Sequence, residues 1–229
     1  MLAHLWWAAR LENTTPRLTV IDRCPTAALA NRWFADSKEM EVRVIVEDVL
    51  KLERAFTERF DLVCNHNFFG QFPPDVRREV IGQCRRVLSP EGWLLTANRL
   101  RPGPGSLDTP YTLTRSQAES TLERVRMSLL QSTEPIPDSE EFQAALMAFL
   151  QGKRGYRIQS EVDFSNMLAE HGLAIMVSET GIVASPVRDT NPDCPQGSTT
   201  THREILRVLA RACDPELKRV NSASCNFGA

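Results

Sequence analysis

The stretch PPDVRREVIGQCRRVLSPEGWLLTA, running from Pro73 to Ala97, decides the fold. In its first half Val76, Val80, Ile81, Cys84, Val87 and Leu88 recur with the 3.6-residue period of a helix that has one apolar face, leaving Arg77, Arg78, Arg85 and Arg86 on the remainder. Ser89-Pro90-Glu91-Gly92 then supplies a proline and a glycine that stop the helix, and Trp93-Leu94-Leu95-Thr96-Ala97 reads as a short buried strand. A helix that hands over to a strand in this way is one repeat of an alternating α/β chain, so the flanking sequence is read for further repeats.

Upstream, Arg17-Leu18-Thr19-Val20-Ile21-Asp22 is a β-branched run that ends at an acid. Pro25 follows at a position the first turn of a helix accepts, with Ala28, Leu29, Trp33 and Phe34 at helical spacing behind it. Val42 to Val46 ends at Glu47-Asp48, and Phe60-Asp61-Leu62-Val63-Cys64 ends at Asn65-His66-Asn67. Alternating strands and helices of this length predict a doubly wound, mostly parallel sheet covered by helices, with the polar strand ends gathered on one edge. Asp22 at the end of the first strand stands where such folds accept hydrogen bonds from ribose hydroxyls, although an acid after a strand equally serves as a helix cap.

Downstream, the prolines and glycines between Arg101 and Thr114 exclude a regular period. Helices are predicted around Ser116 to Leu130 and from Ser139 to Leu150, and this region reads as a helical insertion at about 102–159, placed as a lid over the strand ends. Ser160-Glu161-Val162-Asp163 has the form of a capping box before a helix that stops at Gly172, with His171 at the helix C-terminus, where the dipole favours a cation. Leu173 to Val177 is a strand. By period alone Thr201 to Ala210 fits a helix, through Ile205, Val208, Leu209 and Ala212, at least as well as a strand. The reading is one domain over residues 1–213 and a loosely held tail, 214–229.

The 229 residues are 42% hydrophobic and 24% charged, the composition of an ordinary globular protein. The first apolar run, Leu5 to Ala9, is too short to span a membrane and has no basic segment before it. With 27 basic and 29 acidic side chains there is no global field to gather nucleic acid or anionic lipid, so a small-molecule partner is expected and no nucleic acid or membrane. Arg203, Arg207 and Arg211 are read as a solvated face. The six cysteines form no Cys-x-x-Cys pair, and His4, His171 and His202 lack ligand-like companions. No metal is expected, and a reducing cytoplasm is the simplest setting.

The succession Leu18 to Asp22, Val46-Glu47-Asp48-Val49, Phe60 to His66, and Cys84-Arg85-Arg86-Val87-Leu88-Ser89-Pro90-Glu91-Gly92 resembles the class I S-adenosylmethionine-dependent methyltransferases, most specifically in its Arg-Val-Leu-x-Pro-x-Gly turn between helix and strand. The resemblance implies a Rossmann-like sheet in which the last segment is a strand, forming an antiparallel edge hairpin with Leu173 to Val177. It implies S-adenosyl-L-methionine as cofactor. Asp22 would hold the ribose hydroxyls, with Arg23 and Cys24 on the adenine side. Asp48 would accept from the adenine amino group, flanked by Glu47 and Val49. Asn65 and His66 would face the methionine end, with His66 as the base. Phe68, Phe69, Phe72, Tyr111 and Tyr156 would wall an acceptor pocket or close the core.

The resemblance also implies a glycine-rich loop about 20 residues before the strand-end acid. The first glycine is Gly70, so that loop would fall at or just before Met1; Met1 to Leu11 would be the helix after it, and the central strand would be missing from the sequence. Either an incomplete enzyme or an inactive methyltransferase-like binding or scaffolding module follows from this. A short-chain nicotinamide oxidoreductase is disfavoured, because the residues four beyond Tyr111 and Tyr156 are Arg115 and Ser160 rather than lysine.

Overall fold

A computed structural model describes residues 1–103, 106–130, 140–185 and 201–213; the tail 214–229 lies outside them. The chain alternates as the sequence predicts through its first half: α1 (Leu2–Leu11), β1 (Leu18–Asp22), α2 (Pro25–Ser37), β2 (Val42–Val46), a 3-10 turn (Val49–Lys51) running into the short α3 (Leu52–Ala55), β3 (Phe60–His66), α4 (Pro74–Val87) and β4 (Leu88–Arg99). Next come β5 (Tyr111–Thr112), α5 (Arg115–Leu130), α6 (Glu140–Gly152) and β6 (Arg154–Gly155). Then come α7 (Glu161–Glu170), β7 (Leu173–Ser185) and β8 (Thr201–Ala212).

The strands form a parallel pair β1–β2, a four-stranded sheet in the order β3–β4–β8–β7, and the small antiparallel pair β5–β6. β3 and β4 run parallel, and β8 is antiparallel to both β4 and β7. The fold is the Rossmann-like α/β class with an antiparallel edge hairpin. Among the described residues no strand pairs with the second edge of β1 or of β3.

β8 settles the segment whose period left helix and strand open. Its buried residues are Leu206, Val208, Ala210 and Ala212, a period of two, whereas the helical set relied on Ile205 and Leu209, which are only half-buried. Arg207 and Arg211 stand on the other face, paired with Glu179 (3.1 Å) and Glu91 (3.0 Å), as expected of a solvated face.

The core lies between the four-stranded sheet and helices α4 and α7, where Val80, Ile81, Leu94, Phe164, Leu168 and Leu206 have no exposed surface. On the other face of the same strands Leu62 and Leu95 remain 43% and 38% exposed. Ser89 to Gly92 was expected to be a turn, but it runs on as the start of β4, and the register against β3 shifts between Phe60 and Leu62. Gly92 permits this, since a Cβ there would lie 2.9 Å from the Phe60 carbonyl oxygen.

Arg77 overturns its solvent-side assignment. It is 1% exposed; its Nε donates to the Phe69 carbonyl and its Nη2 to those of Phe72 and Arg157, each at 3.0 Å. Ser160 caps α7 by accepting from the Asp163 amide (3.1 Å), but the Asp163 carboxylate accepts a hydrogen bond from the serine hydroxyl (2.7 Å) instead of reaching a backbone N–H. Gly172 ends α7 with φ +71°, as predicted. Burial pushes His171 below its ordinary pKa, aided by Arg86 and Arg78 and opposed by Glu170, so the cationic form expected from the helix dipole is not favoured.

Candidate functional site

Parallel pairing puts the carboxyl ends of β1 and β2 side by side, with Asp22 in register with Val46 and the Glu47 N–H donating to the Asp22 carbonyl at 3.2 Å. Of the two candidate carboxylates only Asp48 caps, at the start of the 3-10 turn; Asp22 closes a local turn onto the backbone two residues on, and α2 has no side-chain cap. Asp22 Oδ1 accepts from the Cys24 N–H (2.8 Å) and Asp48 Oδ1 from the Leu50 N–H (3.0 Å). An ionised carboxylate has about four acceptor sites on two oxygens, so each of these bonds leaves acceptor capacity for a ligand. Glu47 Oε1 accepts from the Asp48 N–H, Val49 packs against the core, and Arg23 is exposed at the turn. Cys24 is the exposed N-cap residue of α2; backbone hydrogen bonds from Ala27 and Thr26 bring its thiol below the usual cysteine range. Burial instead pushes Cys64 up to about 11 and Cys84 up to about 12, leaving both as neutral thiols.

Asn65 and His66 end β3, in the other sheet. Among the described residues no hydrogen bond joins them to Asp22 or Asp48, so the structure brings the two acids together and carries the amide and imidazole on a separate platform. The Asn65 side-chain oxygen Oδ1 accepts from Thr96 Oγ1 (2.6 Å), which in turn accepts from Asn98 Nδ2 (2.7 Å). Thr96 and Asn98 are buried, so this row fixes the Asn65 rotamer.

Sequence reasoning passed over Asn67 as a site residue. Its φ of 50° lies in the left-handed region, which asparagine tolerates better than other side chains, so a turn could have been inferred. Its Oδ1 accepts from the Arg99 N–H (3.1 Å), which orients the amide so that Nδ2 donates to His66 Nε2 (3.1 Å). The neutral imidazole then carries its proton on Nδ1. His66 is exposed.

The aromatic candidates divide. Phe69 is fully buried against Phe164, and Phe68 and Phe72 pack on the core, so these three close the interior and do not wall a pocket. Tyr111 does line a cavity of about 540 Å³ at the carboxyl end of β4, together with Arg99, Arg101, Arg157 and Glu204; Tyr156 is not among its lining residues. No group of three or more metal-ligating side chains occurs among the described residues, and no helix among them is long and apolar enough to cross a membrane.

Residues 4–92 match a protein family described as a methyltransferase domain. No curated protein matches the chain. A Bacillus halodurans protein named as a methyltransferase has a similar solved structure (15% identity, TM-score 0.56, covering 87% of this chain and 84% of that one). So does a protein studied for conversion of a disulfide bond into a thioacetal group during echinomycin biosynthesis (18%, 0.51, 94% and 76%). A third is the 1,6-didemethyltoxoflavin-N1-methyltransferase of Burkholderia thailandensis, solved with its substrate and S-adenosylhomocysteine (18%, 0.50, 90% and 66%).

Proposed function

With residues 4–92 matched to a methyltransferase domain, we propose that the chain transfers a methyl group from S-adenosyl-L-methionine to a small-molecule acceptor by in-line displacement. The observation that supports this reading is the polar character of the carboxyl ends of the parallel strands: Asp22 ends β1, Asp48 follows the end of β2 by two residues, and Asn65 precedes the last residue of β3, which belongs to the other sheet. Ligands of open α/β sheets bind outside these strand ends. The donor set fits an adenosyl group. Carboxylates with spare lone pairs suit the ribose hydroxyls (Asp22) and an exocyclic amine (Asp48), with Glu47 and Val49 beside the ring and Arg23 and Cys24 on its other side.

The bound cofactor supplies an activated methyl on a sulfonium, so the chain's own task is positioning more than acid-base work. Asn65, held by Thr96, faces the methionine end. His66 takes the proton that a hydroxyl or ammonium acceptor must lose, through Nε2, once the Asn67 amide gives way to the acceptor. A second reading is a module that has the fold without the activity; the placement of Asp22 and Asp48 in a sheet separate from Asn65 and His66 favours it.

Calorimetric titration with S-adenosylhomocysteine separates the two. The enzyme reading expects binding that weakens by about 1.5–3 kcal/mol in Asp22→Asn or Asp48→Asn, the worth of a charge-assisted hydrogen bond. It also expects His66→Gln to keep that affinity while losing about 10²–10⁴ in turnover. Absence of binding by the wild-type chain removes the enzyme reading.

A further inference from the structure

We propose that the cavity at the carboxyl end of β4 holds an anionic group of the methyl acceptor, a carboxylate or phosphate, through Arg101 and Arg157. That the anion belongs to the acceptor rests on the methyltransferase reading; that the cavity takes an anion rests on its own lining. The position is right for an acceptor. Arg99 opens the lining, and its N–H is bonded to the same Asn67 side chain that donates to His66, so cavity and imidazole share one strand edge. A volume of about 540 Å³ is that of an ordinary small-molecule site.

Arg101 and Arg157 stand in this lining with Arg99 and a single acid, Glu204. Among the described residues seven arginines elsewhere (43, 78, 86, 115, 126, 207 and 211) pair with carboxylates, while others such as Arg23 and Arg59 do not. Among the described residues Arg101 and Arg157 have no such partner, and Glu204 pairs with neither. Arg101 Nε is shielded from solvent and has no acceptor, an unmet cost that a ligand oxygen would remove.

The Arg101 cation and the backbone that carries Arg157 are also held in place before any ligand arrives. The Arg101 guanidinium carbon lies 3.8 Å from the centre of the Tyr111 ring, and the Arg101 N–H is bonded to the Ile158 carbonyl at 2.9 Å. Tyr111 lies against Gly155 across the β5–β6 pair, at a position where any Cβ would come within 2.4 Å of the ring and its hydroxyl oxygen. The Arg157 carbonyl is fixed by buried Arg77. Leu100, Pro102 and Ile182 complete an apolar wall, which suits an organic anion with an apolar body.

Ligand-observed NMR titration of the whole chain with benzoate, phenyl phosphate and the neutral isostere benzamide tests this. Benzoate or phenyl phosphate is expected to bind at least tenfold more tightly than benzamide, and the ranking of the two anions identifies the head group. Arg101→Gln and Arg157→Gln should each weaken anion binding at least fivefold, with Arg101→Lys intermediate and Arg126→Gln unchanged. Benzamide binding as well as both anions, or anions binding the glutamine variants undiminished, overturns the proposal. If a variant loses its circular-dichroism signal, the wild-type comparison of anion with isostere decides alone. S-adenosylhomocysteine is titrated in parallel. Cofactor binding without anion preference removes this inference and leaves methyl transfer standing, and anion preference without cofactor binding does the reverse.

Discussion

Around the four-stranded sheet, Phe69, Leu94, Phe164 and Leu206 have no exposed surface, whereas in the β1–β2 pair and its helices Trp7, Leu11, Leu29 and Trp33 are 59–72% exposed. Both regions come from the same strand–helix pattern, and in both the apolar spacing correctly marks helices. Their interiors differ because a helix face is buried only by a second layer. β3, β4, β8 and β7 make a platform broad enough for α4 and α7 to cover, while β1 and β2 are two five-residue strands that, among the described residues, pair only with each other. The candidate cofactor site draws Asp22 and Asp48 from the sparsely packed region and Asn65 and His66 from the consolidated one.

The largest contrast should appear in stability. Phe164→Ala is expected to cost about 3–5 kcal/mol in denaturant unfolding, through lost burial and a residual cavity, while Trp33→Ala stays within about 0.5 kcal/mol. Equal losses would show that α2 is packed as tightly as α7. Arg77→Met comes next. It strips donors from three carbonyls at about 1 kcal/mol or more each, and it should loosen Arg157 as well, so stability and benzoate affinity should fall together.

The smallest effect concerns pH. Burial holds His171 below the ordinary histidine range in the folded chain, so its neutral form contributes stability that is present above that range and lost as pH falls through the depressed folded value. The groups around it are Glu170, Arg78 and Arg86. Urea midpoints at pH 7.5 and 5.5 should therefore drop less for His171→Gln than for the wild type; an equal drop would assign the acid sensitivity elsewhere.

Local patterns carried much of this to the reader of the sequence. The strand ends at Asp22, Glu47-Asp48 and Asn65, the α4 helix, the Ser160 cap and the Gly172 stop each follow from a few adjacent residues. Features made by distant partners did not. Arg77 sits among arginines on a helix that looks solvent-facing, and only the carbonyls of Phe69, Phe72 and Arg157 explain its burial. The stack of Arg101 on Tyr111 depends on Gly155, 44 residues further on, and nothing near either residue announces it. In β8 the buried set Leu206, Val208, Ala210 and Ala212 is interleaved with Ile205 and Leu209, so two periods coexist until β4 and β7 choose between them.

Hydrogen exchange with and without S-adenosylhomocysteine tests most directly whether one cleft is built from both regions. Slowed exchange is expected together at residues 22–24, 47–50 and 65–67, with the amides of β4 and β8 already protected before ligand is added. Slowing confined to one of the three segments, or to none, would contradict a shared adenosyl site.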